Sequence, residues 1–182
     1  MKWLDRLFGG SKDMAALPAG TKAPDFSLPD VSSDKHSGNL SLRAALQQGP
    51  VLAAFFKVSC PVCQYAFPYL ERIYQAHRDK KITIVGISQD NQRDTAAFLK
   101  LYGVTFRTLL DDPNGYAVSN AYGLTNVPSL FLIGQDGEIE ISSVGWVKEE
   151  VEDIHHKLAA ARQTPPLPLF KPGEDVRDFR AG

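Results

Sequence analysis

The chain carries only two cysteines in 182 residues, and no second pair completes the roughly four soft ligands of a closed structural zinc site. It also lacks a long apolar run. The longest, 51-VLAAFF-56 and 82-ITIVGI-87, fall far short of the roughly 20 residues that span a bilayer. Charge of one sign is missing too: 20 Lys and Arg stand against 21 Asp and Glu, with no block of like charge, which argues against a nucleic-acid surface. The first residues, MKWLDRLFGG, set Trp3, Leu4, Leu7 and Phe8 on one face of a two-turn helix without the uninterrupted apolar stretch of a signal peptide. The expected address is the cytoplasm, with docking or disorder of this short helix preferred to an interfacial membrane anchor. Reducing conditions there disfavour a permanent structural disulfide, so two close cysteines point to catalysis or to metal binding.

What the chain does have is 43% hydrophobic and 10% aromatic residues, enough for one core in one globular domain. Residues 20-GTKAPDFSLPD-30 read as a short strand entering a turn, and 40-LSLRAALQQG-49 as a helix stopped by Gly49 and Pro50. The stretch 51-VLAAFF-56 is a buried strand. From Pro61 to about His77 apolar residues recur at helical spacing. Pro61 suits a first turn, where its missing N–H would be unpaired anyway, and Pro68 is expected to kink the helix. A second buried strand, 82-ITIVGIS-88, precedes a helix over 93-RDTAAFLKLYG-103. Strand, helix, strand, helix implies a parallel pair. Further on, 116-YAVSNAYGL-124 reads as a short helix, the extended runs around Gln135-Asp136-Gly137 as a hairpin, and 149-EEVEDIHHKLAAAR-162 as a last amphipathic helix. The segment 164-TPPLPLFKPGEDVRDFRAG-182 is too proline-rich for a regular element and reads as an extended strap or as disorder. The expected division is an extension over 1–19, one domain over 20–162 and a tail over 163–182.

Both thiols lie in 57-KVSCPVCQYAFPYL-70. A strand running into Cys60, with a helix opening at Pro61, sets the Cys60 sulfur beside the unpaired N–H groups and positive dipole end of that helix. Negative charge on that sulfur is favoured. Cys63 sits one turn further along, within reach of Cys60 but away from the helix terminus and from solvent. The asymmetry predicts one attacking and one resolving cysteine.

With 23-APDFSL-28, the Cys60-Pro61-Val62-Cys63 junction, Pro68, 84-IVGIS-88 and 127-VPS-129, the chain resembles the thioredoxin superfamily, and more closely its TlpA/ResA-type thiol-disulfide oxidoreductases and the AhpC/TSA redoxins. The resemblance implies a thioredoxin-like α/β fold: a central mixed sheet flanked by helices, with an N-terminal β extension. It nominates Pro128 as a cis proline facing the cysteines, and the Val127 backbone as the ledge on which a substrate cysteine pairs. Three positions depart from the family pattern. Ser59 stands where a Trp is usual, Ala66 where the TlpA/ResA type often has a Glu, and Ala54 where thioredoxins bury an Asp, so the proton-handling carboxylate is out of place. Lys57 is the nearest cation in sequence and could tune the Cys60 thiolate, although a solvent-reaching lysine at a strand end is the plainer reading.

The resulting expectation is a thiol-disulfide oxidoreductase acting on protein or small-molecule disulfides. It needs no cofactor beyond an electron donor, a thioredoxin-reductase-like or glutathione-linked system. A peroxiredoxin-type peroxidase is one alternative, but the Pro-x-x-x-Thr/Ser-x-x-Cys pattern fails: counting back from Cys60, Lys57 takes the hydroxyl position and Ala53 the proline position. A copper-binding or delivery module is another, with the two thiols as soft ligands. The histidines offer it little, since His36, His77, His155 and His156 read as surface or capping residues. Asp111-Asp112-Pro113-Asn114-Gly115 reads as a turn rather than a cation loop. Tyr65, Phe67 and Tyr69 read as core, with a groove around Cys60 as the alternative.

Overall fold

The computed structural model describes residues 15–31, 38–78 and 82–182. The amphipathic stretch 1–8 and His36 lie outside them. At the centre is a five-stranded mixed sheet whose middle strand is β3 (Val51–Phe56). On one side β3 pairs in parallel with β4 (Thr83–Ser88), and β4 with β5 (Arg107–Leu110); on the other it pairs antiparallel with β6 (Ser129–Ile133), which continues into β7 (Ile139–Val144). A crossover helix, α2 (Pro61–His77), joins β3 to β4, and α3 (Gln92–Tyr102) joins β4 to β5. An N-terminal two-stranded ribbon, β1 (Ser27–Pro29) with β2 (Asn39–Ser41), precedes the sheet and leads into α1 (Leu42–Leu46). The remaining elements are α4 (Ala117–Ala121), β8 (Trp146–Val147), α5 (Lys148–Ala160) and β9 (Phe179–Arg180), the last pairing antiparallel with β8.

Alternation along β3 divides the core in two, because successive strand side chains point to opposite faces. Leu52, Ala54 and Phe56 join α2, α3 and α5 in one cluster, while Val51, Ala53 and Phe55 join Phe26, Leu42 and Tyr122 in the other. All six β3 side chains are buried, which is why the strand reads as a continuous apolar run. Phe56, Phe67 and Phe98 pack with ring centroids 4.4 to 5.4 Å apart, so Phe67 is core. The helical assignment continues through Pro68 to His77. Among the described residues no helix is long and apolar enough to cross a membrane.

Two elements and one pair of side chains differ from the reading of the sequence. Leu40 and Ser41 are strand residues paired with β1, and the helix expected from 40 starts only at Leu42, capped by the Ser41 hydroxyl, which accepts from the Ala44 N–H at 3.1 Å. The edge strand β5 has no counterpart in the sequence reading. His77 and His155 are not at the surface but buried, 3.3 Å apart across α2 and α5. The reason is the segment after α5, which runs back as an extended strap: the Leu167 carbonyl lies 2.7 Å from His155 Nε2, and Leu169 and Val176 join the core. Carbonyl oxygens only accept, so His155 Nε2 donates to Leu167, while its Nδ1 faces His77 Nε2.

Candidate active site: the Cys60–Cys63 pair

β3 ends at Phe56 and α2 begins at Pro61, so the two cysteines fall at a strand-to-helix junction at the C-terminal edge of the sheet, where open α/β sheets place their sites. Cys60 is the N-cap of α2: its sulfur accepts from the Cys63 backbone N–H at 3.3 Å. One of the helix's unpaired donors thus points at the attacking candidate. The Cys60 thiol donates in turn to the Val127 carbonyl, also at 3.3 Å. The Val127–Pro128 peptide bond is cis. Residues 67 apart in sequence therefore meet at one sulfur.

The two thiols have unequal surroundings. Both are free; Cys60 is partly exposed and Cys63 is fully buried. Burial pushes the Cys63 thiol well above its ordinary value, and the hydrogen bond with Cys60 and the negative charges of Cys60 and Asp90 add to the shift. A backbone hydrogen bond from Lys57 opposes it.

Asp90 is the carboxylate that the sequence reading did not find. Its Oδ2 accepts from the Val58 N–H at 2.7 Å, and its charge reaches Cys63. Ala54 and Ala66, where a related chain would carry the acid, are both buried in the apolar cluster. The signal for Asp90 was present in the strand pairing. β3 and β4 run parallel with Phe56 opposite Ser88, so the residue two past Ser88 arrives beside the residue two past Phe56. Gln64 completes the frame by donating to the Val58 carbonyl at 2.9 Å.

Lys57 points elsewhere. Its ammonium lies 5.5 Å from the centre of the Tyr116 ring, in a polar pocket of about 230 Å³ that it shares with Gln89, Ser119, Asn126 and Val127. Tyr116 holds a left-handed backbone conformation, φ 49°, at the entrance to α4. The acids of the 111–115 loop are occupied: Asp111 accepts from the Val118 and Ser119 N–H groups, and Asp112 from Asn114. Tyr65 and Tyr69 lie under the strap. The Tyr65 hydroxyl accepts from the Arg177 N–H at 3.0 Å, and the Tyr69 ring packs on Phe170.

A mixed sheet of this order with paired thiols heading its first crossover helix, opposite a cis proline, defines an oxidoreductase of the thioredoxin superfamily. Comparison with known proteins narrows this. The AhpC/TSA family model matches residues 19–142, and the chain belongs to that family. Thiol-disulfide oxidoreductase ResA of Halalkalibacterium halodurans is 27% identical over 144 residues, covering 78% of each chain. ResA of Geobacillus thermodenitrificans is 26% identical over 152 residues, 82% of each. Among solved structures, a Chlorobium tepidum protein provisionally assigned as the thiol:disulfide interchange protein DsbE superposes with a TM-score of 0.68 at 26% identity, over 80% of this chain and 99% of that one. The thioredoxin domain of a thiol-disulfide oxidoreductase from Bacteroides vulgatus superposes at 0.67 and 23% identity, a likeness of fold.

Proposed function

We propose that the protein exchanges disulfides through Cys60 as attacker and Cys63 as resolver. The observation that carries this is the position of the Cys60 sulfur, between the Cys63 N–H and the Val127 carbonyl and partly open to solvent, while Cys63 is sealed beneath it. In the reducing direction the Cys60 thiolate attacks one sulfur of a substrate disulfide, forming a mixed disulfide and expelling the first substrate thiolate. Cys63 then loses its proton and attacks the Cys60 sulfur, giving the Cys60–Cys63 disulfide and expelling the second. Two electrons pass to the substrate. A dithiol donor, thioredoxin-reductase-like or glutathione-linked, restores the pair. Val127 and Pro128 form the ledge for the substrate's backbone.

Trapping tests the assignment. Cys63→Ser should attack normally but fail to release, so partner proteins accumulate covalently on Cys60 and survive non-reducing electrophoresis. Cys60→Ser should trap none, because Cys63 is buried and its thiol is held protonated. Equal trapping by both variants, or trapping by Cys60→Ser alone, reverses the roles; no trapping by either removes the exchange mechanism.

A further inference from the structure

The last residues of the strap lie on the ledge itself. A β-carbon built on Gly182 would stand 2.6 Å from the Val127 carbonyl oxygen and 3.3 Å from Gly145 Cα, so only a residue without a side chain fits there. Gly145, φ 78°, is equally hemmed: its β-carbon would meet the Arg180 carbonyl oxygen at 2.6 Å and the Gly182 nitrogen at 2.9 Å. The Asn126 side-chain amide donates to the Gly182 carbonyl at 3.0 Å, and the Arg180 guanidinium lies 4.8 Å from the centre of the Tyr65 ring. The strap therefore covers the strip between Val127 and Gly145, and Gly145 itself donates to the Pro128 carbonyl at 2.8 Å. The Val127 carbonyl under Gly182 is the one that the Cys60 thiol contacts, yet Cys60 is still partly exposed. Gly182 crowds the Val127 carbonyl, while the Cys60 sulfur keeps a line of approach from solvent.

We infer that residues 179–182 set substrate class: in place, they admit small disulfides to Cys60 and withhold the Val127 ledge from polypeptide disulfides, which gain it only when this segment lifts. The inference rests on the exchange reading above. A small disulfide needs only a line of approach to the sulfur. A polypeptide must also lay its backbone along Val127, where Gly182 now stands.

The holding contacts show which part moves. Up to Asp178 the strap is pinned: the Trp146 indole N–H donates to the Arg177 carbonyl at 2.6 Å, the Arg177 N–H to Tyr65, and the Lys148 N–H to the Asp178 carbonyl at 2.9 Å. Beyond it, β9 pairs with β8 over two residues only, Phe179 with Val147 and Arg180 with Trp146, the Phe179 side chain is 62% exposed, and the side-chain contacts seen among the described residues are the Arg180 ring contact and the Asn126 bond. Few buried side-chain contacts and a two-residue pairing mean a low local opening cost, so residues 179–182 can lift while the rest of the strap stays docked.

Two variants test this in parallel: deletion of 179–182, and the full-length Asn126→Ala, Arg180→Ala protein, which removes the two side-chain contacts and loosens the segment without shortening the chain. Steady-state rates are compared for reduced insulin chains formed from insulin and for a small aliphatic disulfide. A binding-competent form that is rarely populated lowers apparent affinity by its fraction, so both variants should raise the insulin-to-small-disulfide ratio of kcat/KM by roughly tenfold. An unchanged ratio, or a fall because insulin uses the strap as a wall, overturns the inference. Alkylation of Cys60 supplies a readout that needs no disulfide exchange. In a Cys63→Ser background, a maleimide carried on a polypeptide should gain on iodoacetamide when the segment is deleted or freed. Such a gain without any disulfide reduction would sink the exchange reading and leave the covering role standing, whereas no gain sinks the covering role alone.

Discussion

A resolving thiol must be inert while the enzyme waits and reactive once a mixed disulfide has formed, and the surroundings of Cys63 supply both conditions. Its proton is held by burial first and then by the hydrogen bond with Cys60. When Cys60 enters a mixed disulfide its sulfur becomes a weaker acceptor for that hydrogen bond, so that part of the shift shrinks at the moment when Cys63 must ionise. The field of Asp90 remains. Asp90→Asn keeps an acceptor for the Val58 N–H but removes a negative charge that disfavours the Cys63 thiolate, so the pH midpoint of release should move down and release at pH 7 should quicken several-fold. Single-turnover decay of a preformed Cys60 mixed disulfide against pH measures this. A slower release at every pH would instead make Asp90 the base that takes the Cys63 proton. Asp90 was invisible in the linear reading because it belongs to a different βα junction from the cysteines, and only the β3–β4 register brings it there.

At the scale of the elements, a buttressed ion pair anchors the middle of the strap. Arg72 on α2 grips Glu174 through both guanidinium nitrogens at 2.8 Å, and the Lys171 N–H and the Tyr69 hydroxyl also donate to it. The guanidinium first, then the Lys171 N–H, hold the Glu174 carboxyl down at about 2. A depressed carboxyl contributes stability that is fully present above its unfolded value, 4.5, and is lost as pH falls through about 2. Across that window the strap should loosen before the domain unfolds, which Trp146 emission reports in a Trp3→Phe background because its indole is bound to Arg177. Glu174→Gln should show the loosened signal already at neutral pH; an emission that stays flat through the window in the parent protein would mean that the apolar contacts of Leu169 and Val176 hold the strap without the ion pair. Elements with strong local signals were legible in the sequence: the apolar run of β3, the span of α2 from Pro61 to His77, and α3 with its left-handed Gly103 cap, φ 65°. The misread ones take their conformation from partners distant in sequence. Arg107–Leu110 is a strand because β4 offers an open edge, and Leu40 and Ser41 are strand because β1 does. His77 and His155 are buried because the strap covers them; the prolines of 164–182 suggest an extended segment, but no local pattern says where it docks.

For the whole molecule, membership of the AhpC/TSA family leaves two chemistries to separate, since peroxide reduction and disulfide exchange both start from a thiolate at a helix terminus. The surroundings of Cys60 decide the expectation. Its sulfur meets a backbone N–H and a backbone carbonyl, and neither contact is a hydroxyl or a guanidinium that would orient a peroxide. The positions that would carry such groups are otherwise employed: Ala53 is buried mid-strand between Val85 and Phe131, and the Lys57 carbonyl accepts from the Cys60 N–H at 3.2 Å while its ammonium lies over Tyr116. Without a positioned donor the O–O bond gains no more from this thiolate than from one in solution, because orientation and charge stabilisation of the leaving oxygen supply the acceleration. With a dithiol as reductant, the purified protein should therefore reduce a small disulfide readily and insulin more slowly. It should consume hydrogen peroxide no faster than a simple thiol of equal thiolate content. Hydrogen peroxide turnover that outruns small-disulfide reduction under the same conditions would place the protein with the peroxidases of its family and require a donor at Cys60 that forms only when peroxide binds.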